Sequence, residues 1–137
     1  MTLHIDTDLL IGDQLEKGDE TREKILNPRT GALILELPEA STDQVDRAVA
    51  AARKAFEGWS LATPAERSTA LHTIANRIEA EADGFAALEA LNCGKPINAA
   101  RNDELPGVVD CFRFFAGAVR TQHGSIAGEY LAGHTSM

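Results

Sequence analysis

Clustered positive charge is missing from this chain: 13 Lys and Arg are scattered among 21 Asp and Glu, for a formal net charge of -8 and a pI near 4.9. Nucleic acid and anionic lipid are both held by grouped bases that displace counterions, so the composition speaks against both as partners. Long apolar runs are missing too. No stretch approaches the roughly 18 residues of a membrane span, and Met1-Thr2-Leu3-His4-Ile5-Asp6 lacks the basic-then-apolar order of a secretory signal, so the expected compartment is the cytoplasm. Cysteine is scarce. Cys93 and Cys111 are the only two, and neither has the paired spacing of a zinc or redox motif. In a reducing compartment the expectation is two unbridged thiols, buried or half-buried as small hydrophobes. The chain also has no Gly-x-Gly-x-x-Gly stretch for a dinucleotide, no internal repeat and no low-complexity tract, and His4, His72, His123 and His134 are isolated from one another.

What is present fits an ordinary globular protein, with 137 residues, 44% of them hydrophobic and 25% charged. The first forty residues or so read as extended structure broken by turns. Gly12-Asp13 joins Leu9-Leu10-Ile11 to Gln14-Leu15-Glu16, and Asn27-Pro28-Arg29-Thr30-Gly31 joins Glu23–Leu26 to Ala32–Leu37, which together predict two hairpins. From Ser41 the apolar period lengthens to about 3.6 residues. Ser41 with Gln44 predicts a capping box, followed by a helix whose apolar face is Val45, Ala48, Val49, Ala52 and Phe56 and which closes near Gly58. Thr63, Pro64 and Glu66 predict a second helix start, with Leu71, Ile74, Ala75 and Ile78 as its stripe. That segment continues past Gly84 through Phe85, Leu88 and Leu91 and stops at Gly94 and Pro96. A last long helix is expected to begin near Asp103 to Pro106, to turn Val108, Val109, Phe112, Phe115, Ala116 and Val119 inward, and to end at Gly124.

These features occur in a particular order: the hairpin turn Asn27-Pro28-Arg29-Thr30-Gly31, the helix Asp43–Phe56, Trp59, Thr63-Pro64-Ala65-Glu66-Arg67 and Gly94-Lys95-Pro96. The order and intervals resemble the N-terminus of the aldehyde dehydrogenase superfamily over essentially the whole chain. Within the superfamily, Asn92-Cys93-Gly94-Lys95-Pro96, Asn102-Asp103-Glu104-Leu105-Pro106, Phe112–Gly117, Gly128-Glu129-Tyr130-Leu131 and Gly133–Met137 look like the γ-aminobutyraldehyde dehydrogenases of putrescine breakdown. The resemblance implies an α/β fold in which two β-hairpins and about four helices flank a Rossmann-like dinucleotide-binding domain that is absent from this chain. It implies that residues 1–124 are the N-terminal part of the NAD-binding domain and that residues 125–137 begin the oligomerisation strands, ending unpaired. The parent enzyme is then expected to be a homo-oligomer, a tetramer.

The resemblance also implies a chemistry: a cysteine thiolate attacks an aldehyde, hydride passes to NAD, and a glutamate activates the water that hydrolyses the thioester. In the family those groups, and the elements that hold NAD, lie beyond the segment matched here. No catalytic, cofactor-binding or metal-binding residue is therefore assigned in this chain, and it is expected to be inactive and aggregation-prone by itself, with exposed apolar surface. Cys93 and Cys111 have no nearby base to make either a nucleophile. Some relatives hold a monovalent cation through backbone oxygens at positions like Ile25 and Leu26 and an aspartate where this chain has Asn92; asparagine removes that charge, and no such site is assigned. One local group bears on substrate choice. The helix that matches Asp103 to Arg120 borders the substrate channel in the family, and acidic residues on it hold the substrate ammonium in similar aminoaldehyde dehydrogenases. Glu104, Gly107 and Asp110 lie three apart and so share a helix face, with Gly107 departing from the acidic pattern. The alternative role for Asp103 and Glu104 is to stabilise the positive end of their helix. A non-catalytic remnant, or an interaction module that docks on complete dehydrogenase subunits, is the other reading of the whole.

Overall fold

Tight turns built on positive-φ glycines organise the start of the chain. The computed structural model describes residues 5–121, 128–131 and 133–136. Gly12, at φ 65°, lets strand β1 (Leu9–Ile11) fold back on β2 (Gln14–Glu16), with Leu10 opposite Leu15. Strand β3 (Arg22–Leu26) pairs antiparallel with β4 (Leu33–Pro38), with a register irregularity between Ile25 and Leu26. Their turn is closed by the Asn27 amide donating to the Ala32 carbonyl at 2.8 Å and by the Arg29 amide donating to Asn27 Oδ1 at 2.9 Å. Both predicted hairpins are present.

Helix α1 (Thr42–Trp59) begins at Ser41 with the full reciprocal capping box. Its N3 residue, Gln44, does more than cap. Gln44 Oε1 accepts from the amides of Ser41 (3.0 Å) and Asp19 (3.1 Å), and Nε2 donates to the Lys17 carbonyl at 2.8 Å. This glutamine is 1% exposed and is the largest fully buried side chain among the described residues. Beside it, a Cβ on Gly18 would stand 2.3 Å from the carbonyl oxygens of both Pro38 and Glu39, so the loop passes where only glycine fits. The expected apolar face of α1 is not its buried one: Val45, Val49 and Phe56 are exposed, Phe56 by 64%. Helical spacing identifies one side of a helix, and only the tertiary arrangement provides something for that side to cover.

The chain divides into two compact units, residues 1–60 with 90–94 and residues 61–89 with 95–137. In the second unit, helix α2 (Pro64–Ala80) starts with Pro64 in its first turn and a capping box in which the Thr63 amide donates to Glu66 Oε2 at 2.7 Å. The ladder breaks at Glu81, at φ -106° and ψ 15°, and α3 (Ala82–Cys93) restarts there, well before Gly84. Ala82 and Ala86 are both buried. The last helical region also opens earlier than its pattern suggests: a single turn α4 (Ile97–Ala99) and a π-helical turn (Ala100–Glu104) precede α5 (Leu105–Thr121). Asn102 and Asp103, which mask the helix in the sequence, lie in the π-turn, and Pro106 falls in the first turn of α5.

Helices α2 and α5 pack together through small residues, with Ser68 and Ala75 buried on the first and Val109 and Ala116 on the second. Arg113 ties the pair with Nη2 at 2.6 Å from Glu79 Oε2 and 3.3 Å from Asn76 Oδ1. Strands β5 (Gly128–Leu131) and β6 (His134–Ser136) pair antiparallel with each other around Gly133 at φ 77°, which corrects the expectation that this region ends unpaired. Gly124, read as the end of α5, and His4 and His123 lie outside the described residues. No helix among the described residues is long and apolar enough to cross a membrane.

Candidate functional site

The segment that follows α3 carries the charged groups from which a site can be built. Gly94 closes α3 at φ 73°, with its amide donating to the Ala90 carbonyl at 3.1 Å. A Cβ there would meet Pro28 Cγ at 3.0 Å, so the Asn-Cys-Gly turn lies close against the first residues of the β3–β4 turn. Pro96 then restarts the helix, its carbonyl accepting from the amides of Ala99 and Ala100 at 3.0 and 3.2 Å.

Between these two residues stands Lys95. Its Nζ donates to Glu89 Oε1 on α3 at 2.8 Å and to Glu104 Oε2, the last residue of the π-turn, at 2.6 Å. Both are charge-assisted bonds of ordinary strong length. The hydrogen bond to Glu104, then that to Glu89, raises the Lys95 pKa well above the usual lysine range. A second close ion pair joins Arg101 in the π-turn to Asp83 on α3. The π-turn is therefore tied to α3 by charge from both of its ends.

Of the three residues read as bordering a substrate channel, Glu104 carries this Lys95 contact, while Gly107 and Asp110 are exposed on the first turns of α5. A Cβ at Gly107 would meet nothing within 4 Å. Asp110 contributes to raising the Arg113 pKa, after the larger effect of the Glu79 hydrogen bond. Lys95 was legible only as part of the Gly-Lys-Pro motif; nothing in its spacing announces Glu89 and Glu104 as its partners. Cys93 and Cys111 are free thiols and both are exposed, which corrects the expectation of burial. Cys111 is off the inward face of its helix, a role that Val109 and Ala116 take on α5. No group of three or more His, Cys, Asp or Glu that could hold a metal ion occurs among the described residues. A shallow cavity of about 320 Å³ lies over the α2–α3 junction, lined by Thr73, Ile74, Arg77, Ile78, Glu81 and Phe85.

The order of hairpins, capped helices, Gly-Lys-Pro turn and final helix matches one family. The aldehyde dehydrogenase family model covers residues 15–137. The chain belongs to the aldehyde dehydrogenase family. It is 39% identical over 100 residues to a "Probable aldehyde dehydrogenase" of Mycobacterium tuberculosis, a match covering 73% of this chain and 20% of that protein. It is 40% identical over 113 residues to an "Aldehyde dehydrogenase" of Alternaria alternata, covering 81% of this chain and 23% of the other. Among solved structures it is similar to PnpE in complex with nicotinamide adenine dinucleotide, with a TM-score of 0.84 and 35% identity over 94% of this chain and 26% of that chain. It is also similar to an NAD-dependent benzaldehyde dehydrogenase from Corynebacterium glutamicum, with a TM-score of 0.83 and 28% identity over 89% of this chain and 27% of the other. The mixed α/β arrangement is thus that of the aldehyde dehydrogenase fold, and the chain spans about a fifth to a quarter of the length of these relatives.

Proposed function

We propose that this segment serves an NAD-dependent dehydrogenase that oxidises an amino aldehyde such as γ-aminobutyraldehyde to the acid. Family membership supports aldehyde oxidation, and two of the structural relatives are named for NAD. The observation that favours a cationic substrate is a pair of exposed carboxylates along the last helical region, Glu104 at the end of the π-turn and Asp110 nearly two turns further on, beyond the side-chain-free Gly107. A carboxylate facing a channel attracts the ammonium of an amino aldehyde and does nothing for a neutral one. NAD would be held, and the thiolate and general base supplied, by the part of the fold outside this segment. In this reading the 137 residues alone are catalytically silent, and the assembled enzyme is a homo-oligomer, with the β5–β6 hairpin contributing to its oligomerisation strands.

A second reading, a non-catalytic module that docks on complete dehydrogenase subunits, is favoured by the apolar side chains left exposed: Leu61 by 79% and Phe114 by 67%. The test is NADH formation with γ-aminobutyraldehyde and NAD. It compares this chain with a polypeptide that continues it through the remaining segments of the family fold. Activity confined to the longer polypeptide supports the amino-aldehyde reading. Activity of the short chain refutes the silence proposed for it, and silence of both shifts the weight to docking.

A further inference from the structure

Helix α1 carries an apolar stripe that nothing in its own unit covers. Val45, Val49, Ala52, Phe56 and Trp59 follow one another at steps of four, three, four and three residues. At about 100° per residue these steps keep all five side chains within about 40° of one line along the helix. Ala52 is exposed, and the four larger side chains are 51% to 64% exposed. The β1–β2 hairpin and the loop after it take a different side of α1, the one with Gln44, Arg47 and Ala51. Gln44 is buried there, Ala51 Cβ lies 3.6 Å from where a Cβ on Gly12 would stand, and Arg47 Nη2 is 2.7 Å from Glu16 Oε1. We propose that the open stripe is a docking surface for a second copy of this chain, whose α1 lies antiparallel to the first about a twofold axis. This is independent of the amino-aldehyde reading.

Spacing, size and charge together select this occupant. Alternating steps of three and four are those of a helix-on-helix seam, and an isologous contact presents the same stripe from both sides. Bulk increases along the stripe from Thr42 and Val45 to Phe56 and Trp59. An antiparallel pair therefore sets Phe56 of one copy against Val45 of the other and Trp59 against Thr42, with Val49 against Ala52 at the centre, so each layer joins a large side chain to a small one. A parallel pair would stack Phe56 on Phe56 and Trp59 on Trp59. Asp46 and Arg53 flank the stripe on one side, seven residues apart, and antiparallel packing brings Asp46 of each copy to Arg53 of the other. Neither is engaged in an ion pair among the described residues, whereas Arg47 is taken by Glu16 and Asp43. The other flank carries Ala48 and Ala55, small enough for close approach of the two helices. A parallel pair would set Asp46 and Arg53 against this alanine flank and gain no ion pair. Two such repeats are too short to hold free peptides together, but α1 is already held by its capping box and by the hairpin, so pairing carries no cost of forming the helix.

The experiment is sedimentation equilibrium of the 137-residue chain over a wide range of concentration, where a monomer–dimer equilibrium is expected. Val49→Ser combined with Phe56→Ser is expected to abolish the dimer while leaving the urea midpoint unchanged, since both side chains are exposed. Asp46→Arg and Arg53→Asp, each alone, place like charges together at two points of the twofold contact and are expected to raise the dissociation constant about tenfold. An equimolar mixture of these two single variants is expected to recover the native dissociation constant as a heterodimer, because each charge then meets its opposite; the double variant Asp46→Arg with Arg53→Asp is expected to recover it as a homodimer. A native chain that stays monomeric overturns the proposal. So does a dimer that survives loss of Val49 and Phe56, or one that is lost instead in Phe114→Ser with Phe115→Ser. Single charge variants that dimerise like the native chain, or a mixture no tighter than its components, overturn the antiparallel arrangement and the proposal with it.

Discussion

Gln44 joins separate segments of the first unit, because one amide caps α1 and also satisfies the backbone at Lys17 and Asp19. Gln44→Ala removes three hydrogen bonds and leaves two amides and a carbonyl without their partner. It is expected to cost about 2 kcal/mol, read as a fall in the urea midpoint. Gly18→Ala forces a methyl against two carbonyl oxygens and is expected to destabilise by about 1–3 kcal/mol in the same measurement. The cap was legible in the sequence, since Ser41 and Gln44 stand at the spacing of a capping box. The bonds from Gln44 to the Lys17–Asp19 loop were not. They join residues more than twenty positions apart, and no local pattern encodes a side chain's distant partner. The same holds for Lys95, whose carboxylates lie six and nine residues away on different helical segments. The two cysteines mislead in the opposite way. A small apolar residue has no local mark of whether it will be covered, and both thiols are exposed.

At the scale of elements, the capped helices carry an acid-sensitive stability. Hydrogen bonds from the Thr63 amide and hydroxyl hold the Glu66 pKa below the usual glutamate value, and the Arg113 hydrogen bond does the same for Glu79. A carboxylate whose pKa is lowered on folding contributes stability that is fully present above the unfolded value of about 4.3, and the contribution is lost as pH falls through the lower folded value. The urea midpoint is therefore expected to be flat from neutrality to about pH 5 and to drop below about pH 4, with a shallower drop in Glu66→Gln and Glu79→Gln. Thr63→Ala is expected to cost about 1 kcal/mol at neutral pH, checked by the same denaturation curve. Both early hairpins and the two capped helix starts followed from turn and cap residues, whose preferences act within four positions of chain. The break at Glu81 and the π-turn at Ala100–Glu104 did not, because each is an accommodation between helices and not a preference of the residues that adopt it.

Over the whole molecule, the balance of surface is unusual: the buried apolar residues among those described are Ala75, Ala82, Ala86, Ala100, Val109 and Ala116, while Phe56, Leu61, Phe114 and Phe115 are exposed. Alanine burial contributes little per residue, and exposed aromatics favour association. The chain is expected to bind a hydrophobic dye in its native state and to scatter light increasingly with concentration. Phe114→Ser combined with Phe115→Ser, which removes the edge-to-face pair at 5.3 Å, is expected to reduce both signals without lowering the urea midpoint. The sequence by itself determined the family, the two early hairpins and the two capped helix starts, because turn chemistry and caps are properties of neighbouring residues. Tertiary structure alone decided which helix faces are covered, where the helices break, and that Glu104 is bound by Lys95, because burial and ion pairing depend on segments that meet only after the chain has folded.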